Sequence, residues 1–497
     1  MQVLNLETTL GKAHSAGGYF KPQDMEQLKL DFQQLIENFP DLYPISRGLN
    51  WGYGCGAPIS PDSCVVDLSL CQKIKDFDDH HGIVTVEPGV TYQMLYEFLL
   101  ENGRQWLCPV HGGGPDTSVV GNILERGYGL TPIMDHFSSL ISLRALLKDG
   151  SEYCSPLEEL GQKRLAQLFK YGIGPYTTGL FTQSGLGLVT EVTIKLAPRP
   201  QHLEMFVVSV RPTATIEDIS SSIKHLKKTY GSYLGGINLM NRERVLSMTM
   251  DYPVEKLISG DPLSDDEIKK ESQRRQITEW TITGAIYGQK TVVAQIRKEL
   301  KKELRGVSKH IIFYTSRNQK CFKVAKALFR YFNWEGLFKS IQTMEEGFEV
   351  LSGKPNNVAL RLAYWKHENL DLKHQVHLNP TKDHCGLIWY APIVEIGPQV
   401  LRQYIEFVQK ASLKFNFNPL ITLTTLDDVC FDSTIPILFN RNNPKEVQRA
   451  RNYYEYLFAE GAKLGFFPYR LSIETQKKLN IRPRFLNLDF VSKYRYK

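Results

Sequence analysis

A glycine-rich stretch near the N-terminus limits what this chain can fold into more than any other feature of the sequence. Residues 44–58 read PISRGLNWGYGCGAP, with four glycines, one cysteine and two aromatic side chains. Regular helices and strands are not built from so many glycines, because each weakens them by roughly 0.5–1 kcal/mol. The same backbone freedom lets bare N–H groups approach an anion such as a pyrophosphate. The stretch therefore indicates either an anion-binding loop or a tight surface loop.

Two further stretches share this loop-like character. They read CPVHGGGPDTSVVGNILERGYG at residues 108–129 and GIGPYTTGLFTQSGLGLVTEVTIKLAPRP at residues 172–200. The segments around them predict ordinary elements: an amphipathic helix from Asp24 to Phe39, strands in CVVDLS and GIVTVEPGV, a helix that ends at Gly103, and a hairpin that turns at Asp149-Gly150.

After Pro198-Arg199-Pro200 the pattern changes. TIEDISSSIKHLKKTYG is predicted as an amphipathic helix, and DPLSDDEIKKESQRRQITEWTITGAIYG as a charged helix that runs into a strand. CGLIWYAPIVEI and ITLTTLDDVCFDSTIPILFN are predicted as further strands. We therefore expect a second, α+β domain from about residue 205 to residue 465.

Composition excludes several classes of protein. The chain has 497 residues, 42% of them hydrophobic, and its net charge of +7 comes from 60 basic and 53 acidic residues spread along the chain. So mild and dispersed a charge predicts neither nucleic-acid nor membrane binding. Because no transmembrane-length apolar segment or signal peptide pattern is visible, we expect a cytoplasmic protein. The eight cysteines are scattered without CxxC or metal-ligand spacing, which predicts reduced, mostly buried thiols and no metal site.

The three glycine-rich stretches, in this order, resemble the FAD-binding domain of the vanillyl-alcohol oxidase and 4-cresol dehydrogenase family. The segments that carry the resemblance are PISRGLNWGYGCGAP, VEPGVTYQMLYEFL, VVGNILERGYGLTPIMDH and GPYTTGLFTQSGLGLVT. It continues through DPLSDDEI, TGAIYG and YAPIVEIGPQVLRQY, and covers the chain from about Gly18 to Phe485.

The resemblance implies a fold of the α+β class, a two-domain PCMH-type FAD-binding fold with an inserted α+β cap domain. Residues 1–204 and 466–497 would form the FAD-binding domain, and residues 205–465 the cap domain that covers the flavin ring. It also implies a homodimer.

The resemblance further implies which residues hold FAD. The pyrophosphate would be cradled by Ser46, Arg47, Gly48, Leu49 and Asn50. Converging N–H groups suit a diphosphate, and an arginine adds charge-assisted hydrogen bonds. The remaining cofactor-binding residues would be Gly121, Asn122, Thr131, Gly187, Val189 and Thr190. A Rossmann G-x-G-x-x-G fingerprint in its usual setting is not seen.

Three residues match the phenol-binding site of the family: Tyr53, Tyr469 and Arg470. Two hydroxyls and a guanidinium around one oxygen would hold the substrate as a phenolate. The phenolate would donate electron density to its para carbon, from which a hydride leaves for flavin N5 and gives a p-quinone methide. The alternative for each residue taken singly is ordinary packing.

Asp135 matches the aspartate that the family places beside N5, where it would assist hydride transfer or activate water. The alternative is a helix or turn cap before His136.

Three departures from the family pattern concern the cofactor. Ser433 stands near the position where the vanillyl-alcohol oxidase type carries a tethering histidine, so non-covalent FAD is expected. Cys108 lies near the position of a flavin-linked cysteine in berberine-bridge-enzyme-like oxidases, and a buried free thiol is its alternative reading. The C-terminal segment that supplies a cation near the flavin is missing, and Lys493 or Arg495 are the candidates to replace that cation.

The resulting hypothesis is an FAD-dependent oxidase or dehydrogenase that acts on a para-substituted phenol, with O2 as the expected acceptor. A separate electron acceptor such as a cytochrome is the alternative, and it would be another chain because no CxxCH motif is present. Two further alternatives are a catalytically impaired flavin-fold binding module and a specialised biosynthetic flavoenzyme that acts on another alcohol or aromatic compound.

Overall fold

The N-terminal part of the protein begins with a small parallel sheet. The computed structural model describes residues 4–39, 41–367, 377–476 and 478. In this sheet, strands Gly18–Phe20 and Leu42–Ile45 both pair in parallel with Cys64–Asp67. Helix Met25–Asn38 connects the first two strands, and the carboxylate of Asp24 caps it. The helix therefore starts and ends within a residue of the sequence prediction.

A five-stranded antiparallel sheet follows. Its strands, in spatial order, are Glu152–Tyr153, Leu140–Leu147, Gly187–Lys195, Ile83–Val86 and Ile74–Asp78. The predicted hairpin is confirmed, because the first two of these strands pair across the turn at Asp149-Gly150. Helix Tyr92–Asn102, capped by Thr91 and ended by Gly103, and helix Val119–Leu124 bury apolar faces in the same core.

Shorter elements complete this part of the chain. The short strands are Leu4–Leu6, His14–Ala16, Trp106–Leu107 and Ala197–Pro198. The short helices are Pro156–Glu159, Lys163–Ala166, and the 3₁₀ turns Phe137–Ser139 and Thr178–Phe181. Elements of two to four residues are too short for a hydrophobic period, so the sequence did not predict them.

The second part is built on a large antiparallel sheet whose first strand along the chain begins at His202, three residues before residue 205, where the second domain was expected to begin. Its strands, in spatial order, are Ser308–Tyr314, His202–Val210, Trp280–Gly288, Asn238–Asn241, Thr422–Thr425, Cys430–Asn440 and Cys385–Tyr390, with Ile393–Glu395 also paired to Cys430–Asn440. The strands predicted in residues 280–288, 385–396 and 421–440 are thus confirmed.

Helices cover both faces of this sheet. Four amphipathic helices share one core cluster with one face, namely Ile216–Tyr230, Lys290–Glu303, Pro398–Lys414 and Pro444–Lys463. The other helices of this part are Arg242–Thr249, Val254–Ser259, Asp265–Arg275, Gln319–Tyr331, Glu335–Leu351, and the 3₁₀ turns Gly231–Tyr233 and Leu360–Tyr364. The predicted helices over residues 216–230 and 265–275 are confirmed. Among the described helices, none has the combination of length and apolar character that crossing a membrane requires.

After the last long helix the chain crosses back to the N-terminal part. The N–H of Tyr469 donates to the carbonyl of Ala391 (3.3 Å), and the N–H of Ile473 donates to the carbonyl of Tyr53 (2.8 Å). Helix Ile473–Gln476 follows. This crossing segment, residues 466–476, places its side chains between the large sheet and the first glycine-rich loop. The division at residues 204/205 and 465/466 stays a prediction.

Candidate active site

A cavity of about 430 Å³ lies where the first two glycine-rich loops, the large sheet and the crossing segment meet. No single element forms it, since its wall includes Arg47, Gly121, Thr422 and Arg470 from four separate parts of the chain. Concave sites of this kind, between parts of a fold, are where small molecules usually bind.

The first glycine-rich loop forms one wall and depends on glycine for its path. Gly48 and Gly52 have φ angles of +66° and +79°. A Cβ on Gly52 would lie 2.2 Å from Cδ1 of Trp389, a residue that also lines the cavity. Only glycine satisfies both the positive φ and this close approach. The loop therefore lines a cavity, and the alternative prediction of a tight surface loop does not describe it.

The residues predicted to cradle a pyrophosphate come together in this wall. Ser46, Arg47, Gly48, Leu49 and Asn50 all line the cavity. The Nε of Arg47 is buried without a hydrogen-bond partner in the described part of the chain. A buried guanidinium N–H without a partner suits an anionic group, which fits the diphosphate of FAD.

The second glycine-rich loop forms the adjacent wall. Ser118 caps helix Val119–Leu124, and both Gly121 and Asn122 line the cavity. Two histidines that the sequence did not single out lie here. Burial lowers the pKa of His111 to about 3 and that of His136 to about 4, so both are neutral at physiological pH.

Four predicted cofactor-binding residues lie outside the cavity wall. Thr131 is buried and its hydroxyl has no partner among the described residues. Gly187, Val189 and Thr190 belong to strand Gly187–Lys195, where the Thr190 hydroxyl donates to the carbonyl of Arg144 (3.2 Å). Their assignment to the cofactor stays a prediction.

The three residues predicted to bind a phenol are brought together at one buried end of the cavity. The guanidinium of Arg470 lies over the ring of Tyr53 at 4.5 Å, and the ring of Tyr469 packs against that of Tyr128 at 5.4 Å. Burial raises the pKa of Tyr53 and Tyr469 well above the ordinary value of 10. Both hydroxyls therefore stay protonated and can donate hydrogen bonds. We call Tyr53, Tyr469 and Arg470 the phenol-end cluster.

Arg470 is held by two further residues. Its Nη2 donates to Oδ1 of Asn50 (2.7 Å), and its Nε donates to Oε2 of Glu125 (3.1 Å). Burial alone would lower the pKa of Arg470, but Glu125 and the two tyrosines outweigh it and the pKa is raised. Glu125 thus balances part of the arginine charge. No local sequence pattern predicts this pair, because 345 positions separate its members.

Asp432 is a second carboxylate at this end that sequence reasoning missed. Burial raises its pKa to about 7, against a smaller lowering effect of Arg470, and its Oδ1 has no hydrogen-bond partner among the described residues. Asp432 and Thr434 line the cavity from strand Cys430–Asn440. The period-two alternation of a strand was the signal that could have found them.

Ser433 points to the opposite face of the same strand. Its hydroxyl is buried against that of Tyr404, 2.7 Å away. Cys108 is also outside the cavity wall, because its thiol is buried in the N-terminal core and lies 3.7 Å from the carbonyl of Tyr92. Neither of the two positions considered for a covalent flavin link therefore faces the cavity.

Asp135 lies next to Tyr128, whose ring packs against that of Tyr469, and it does not line the cavity. Its Oδ1 accepts a hydrogen bond from the N–H of Ser138 (3.1 Å), which is a capping contact for the 3₁₀ turn Phe137–Ser139. Burial raises the pKa of Tyr128 to about 12, and the carboxylate of Asp135 contributes to the rise as the second largest cause. The capping geometry of the alternative hypothesis is present, and a role in catalysis stays a prediction. Lys493 and Arg495 lie outside the described residues.

Within the described residues, no group of three or more His, Cys, Asp or Glu side chains is arranged to hold a metal ion. Five of the eight cysteines are buried, as expected from the sequence: Cys55, Cys64, Cys71, Cys108 and Cys385.

Comparison with known proteins agrees with the geometry of the cavity. The FAD binding domain family matches residues 17–153, which include the first two glycine-rich loops. The chain is 28% identical to the 1'-carboxy-chondrochloren decarboxylase of Chondromyces crocatus over 95% of this chain and 86% of that protein. It is 23% identical to the 4-cresol dehydrogenase [hydroxylating] flavoprotein subunit of Pseudomonas putida over 94% of this chain and 82% of that protein.

Among solved structures, p-cresol methylhydroxylase with substrate bound superposes with a TM-score of 0.81 at 22% identity, over 95% of this chain and 85% of that chain. The fold and the cavity thus define a flavoprotein that binds FAD. More particularly, the chain has the PCMH-type FAD-binding fold of the vanillyl-alcohol oxidase and 4-cresol dehydrogenase family, as its glycine-rich stretches predicted.

Proposed function

We propose that this protein oxidises a para-substituted phenol, of the 4-alkylphenol or 4-hydroxybenzyl alcohol type, with O2 as the expected acceptor. The observation that carries the proposal is the phenol-end cluster, in which Tyr53, Tyr469 and Arg470 meet at one buried end of the cavity. The relative named as a 4-cresol dehydrogenase supports the same substrate class.

The phenol-end cluster would bind the substrate oxygen and favour its ionised form. Two tyrosine hydroxyls and a guanidinium are all hydrogen-bond donors, so they stabilise a phenolate more than a phenol and lower its pKa from about 10. The phenolate then pushes electron density toward the para carbon, which loses a hydride. FAD supplies the hydride acceptor when bound. Ser46 to Asn50, Gly121 and Asn122 are the residues that would hold it.

Asp432 is the group at this end that can take the phenol proton near neutral pH. Its pKa, raised by burial to about 7, lies far below those of the neighbouring tyrosines and of Arg470. A base works best when its pKa is near the working pH. Asp432 would therefore accept the proton as the substrate oxygen settles among the three donors.

The proposal is tested by stopped-flow reduction of the bound flavin under anaerobic conditions. A 4-alkylphenol should reduce the flavin, whereas its O-methyl ether, which has no proton to lose, should not. Arg470→Ala should slow reduction by the phenol at least about tenfold, since a charge-assisted hydrogen bond contributes roughly 1.5–3 kcal/mol. Tyr53→Phe and Tyr469→Phe should each slow flavin reduction by a smaller factor than Arg470→Ala does. Equal rates with the phenol and the ether would refute the phenolate mechanism.

A second candidate function is the decarboxylation of a carboxylate-bearing substrate. The relative named as a decarboxylase favours it, and so does Arg244, a buried arginine in the cavity wall. Release of CO2 during single-turnover reduction would distinguish it from simple oxidation. The alternative of an impaired binding module would require that no phenol reduces the flavin.

A further inference from the structure

Arg244 is a buried cation in the cavity wall with no ionic partner among the described residues. It lies on helix Arg242–Thr249, is 9% exposed, and lines the cavity from the side of the large sheet. The one hydrogen bond that its guanidinium makes in the described part of the chain runs from Nη1 to Oγ of Ser247 (3.1 Å).

The other charged side chains of the cavity are placed differently. Arg470 pairs with Glu125 at 3.1 Å, and Asp432 lies close enough to Arg470 for its pKa to be affected. Arg47 belongs to the loop that would hold the pyrophosphate. Neither Glu125 nor Asp432 forms an ion pair with Arg244. The positive charge of Arg244, on the large-sheet side of the cavity, therefore has no counter-charge among the described residues.

An uncompensated buried charge costs a protein several kcal/mol, so its retention needs a counter-ion. Burial lowers the pKa of Arg244 to about 10, and the guanidinium still carries its full charge at neutral pH. Arginine matches the planar geometry of a carboxylate with two parallel N–H groups.

The wall around Arg244 provides neutral polar groups and apolar surface. Thr422 has a buried hydroxyl without a partner among the described residues, and the hydroxyl of Thr424 donates to Oδ1 of Asn238 at 2.7 Å. Leu360 and Leu362 add apolar contacts. This part of the cavity thus offers one cation and one free hydroxyl, and Asp432, which also lines the cavity, is partly protonated near neutral pH because burial raises its pKa to about 7.

We propose that Arg244 binds a carboxylate carried by the substrate, and this assignment rests on the function proposed above. The substrate class is then a phenol whose para side chain carries a carboxylate, with its oxygen at the phenol-end cluster and its carboxylate at Arg244. The relative whose name includes a carboxy-substituted substrate and a decarboxylation is consistent with this class.

The test is a binding titration of the FAD-loaded protein, followed by the perturbation of flavin absorbance. The probes are 4-hydroxyphenylalkanoates of increasing chain length, each paired with its primary amide, which has the same shape and no charge. In the wild type, one chain length should bind about tenfold to a hundredfold more tightly as the carboxylate than as the amide. In Arg244→Met this preference should vanish, and in Arg244→Lys it should be reduced and partly kept.

Arg242→Met is the matched control, because Arg242 lies two positions away on the same helix and pairs with Glu243 at 3.7 Å. The carboxylate preference should be unchanged in this variant. A carboxylate preference that persists in Arg244→Met would overturn the assignment. Loss of FAD from both Arg244 variants would also overturn it, because it would show that Arg244 binds the cofactor and not the substrate. If Arg244→Met does not fold, Arg244→Lys decides the question by the same ratio of dissociation constants.

Reduction of the wild-type flavin by a neutral 4-alkylphenol separates the two proposals. If the neutral phenol reduces the flavin and no carboxylate is preferred, the carboxylate assignment is wrong and the proposed function stands. If the preference depends on Arg244 but no phenol reduces the flavin, phenol oxidation is the part that is wrong.

Discussion

Folding shifts the pKa of Asp432, which lies at the same end of the cavity as Arg470, into the neutral range. In the unfolded chain its pKa is 3.8, and in the folded protein burial raises it to about 7, with Arg470 opposing the rise. Folding therefore favours the protonated form. The stability that this preference contributes is fully present below pH 3.8 and is lost as the pH rises through about 7.

Asp432→Asn should remove this pH dependence, because an amide keeps the shape of the protonated acid and cannot ionise. We expect the melting temperature of the variant, relative to that of the wild type, to increase between pH 5 and about pH 7 and to level off above that. Thermal unfolding at a fixed FAD concentration measures it. Ser433→Ala, which alters the neighbouring side chain on the other face of the strand, should show a difference from the wild type that does not vary with pH. A constant difference for Asp432→Asn as well would contradict the raised pKa.

At the scale of single residues, the sequence predicted Tyr53, Tyr469 and Arg470 as phenol-binding residues, an assignment that stays a prediction, and it did not single out three other charged residues of the cavity wall. Tyr53, Tyr469 and Arg470 stand in short motifs that match a family, so they could be named before any contact was known. Glu125 lies in the segment VVGNILERGYGLTPIMDH, where no role is predicted for it, and Asp432 and Arg244 stand in no such motif. These residues stand out because of their tertiary contacts, or because they have no ionic partner among the described residues. Neither property can be recognised from the neighbouring residues in a single sequence.

At the scale of elements, the first glycine-rich loop is a cavity wall whose path leaves little room for substitution. Gly52 combines a φ of +79° with a Cβ position 2.2 Å from the Trp389 ring. Gly52→Ala should therefore lower the free energy of unfolding by at least about 2 kcal/mol, from backbone strain and steric overlap together. It should also weaken FAD retention, because both the loop and Trp389 line the cavity.

The matched control is Gly185→Ala in the third glycine-rich stretch, where an added Cβ meets no atom within 4 Å. Denaturant unfolding and the flavin content after gel filtration measure both effects. If Gly52→Ala were as stable as Gly185→Ala and kept its flavin, the loop would be more adaptable than its geometry indicates.

Long elements were predictable from hydrophobic period, and short ones were not. Helices Met25–Asn38 and Ile216–Tyr230 have apolar residues at helical spacing and clear N-caps, so the sequence placed them within a residue or two. The strand Gly187–Lys195 pairs with Leu140–Leu147 inside a sheet, and the assignment of its first residues to the cofactor stays a prediction.

At the scale of the whole molecule, the cavity is shared by parts of the chain that are far apart in sequence, and no covalent link to the flavin is available at the two positions considered. Ser433 faces Tyr404, and Cys108 is buried in the N-terminal core. We therefore expect the flavin to leave the polypeptide on acid precipitation, leaving a colourless pellet and a yellow supernatant. Absorbance of both fractions measures it.

Colour that stays in the pellet would contradict this expectation. Repeating the precipitation with Cys108→Ala would then show whether that thiol is the link. The homodimer implied by the family resemblance also stays a prediction, which light scattering would test against the monomer mass of 56.9 kDa.

The crossing segment has a consequence for the order in which the protein can mature. Arg470 contacts Asn50 and Glu125, which were synthesised 420 and 345 residues earlier. While the chain is still on the ribosome, both glycine-rich loops and the whole large sheet are complete before the guanidinium emerges. Until then, Glu125 and Asn50 have no cation between them, and the phenol end lacks both Tyr469 and its positive charge. In the proposed mechanism, a nascent or truncated chain could thus begin to gather cofactor but could not hold a phenolate, so the chemistry would become possible only after the crossing segment has been made.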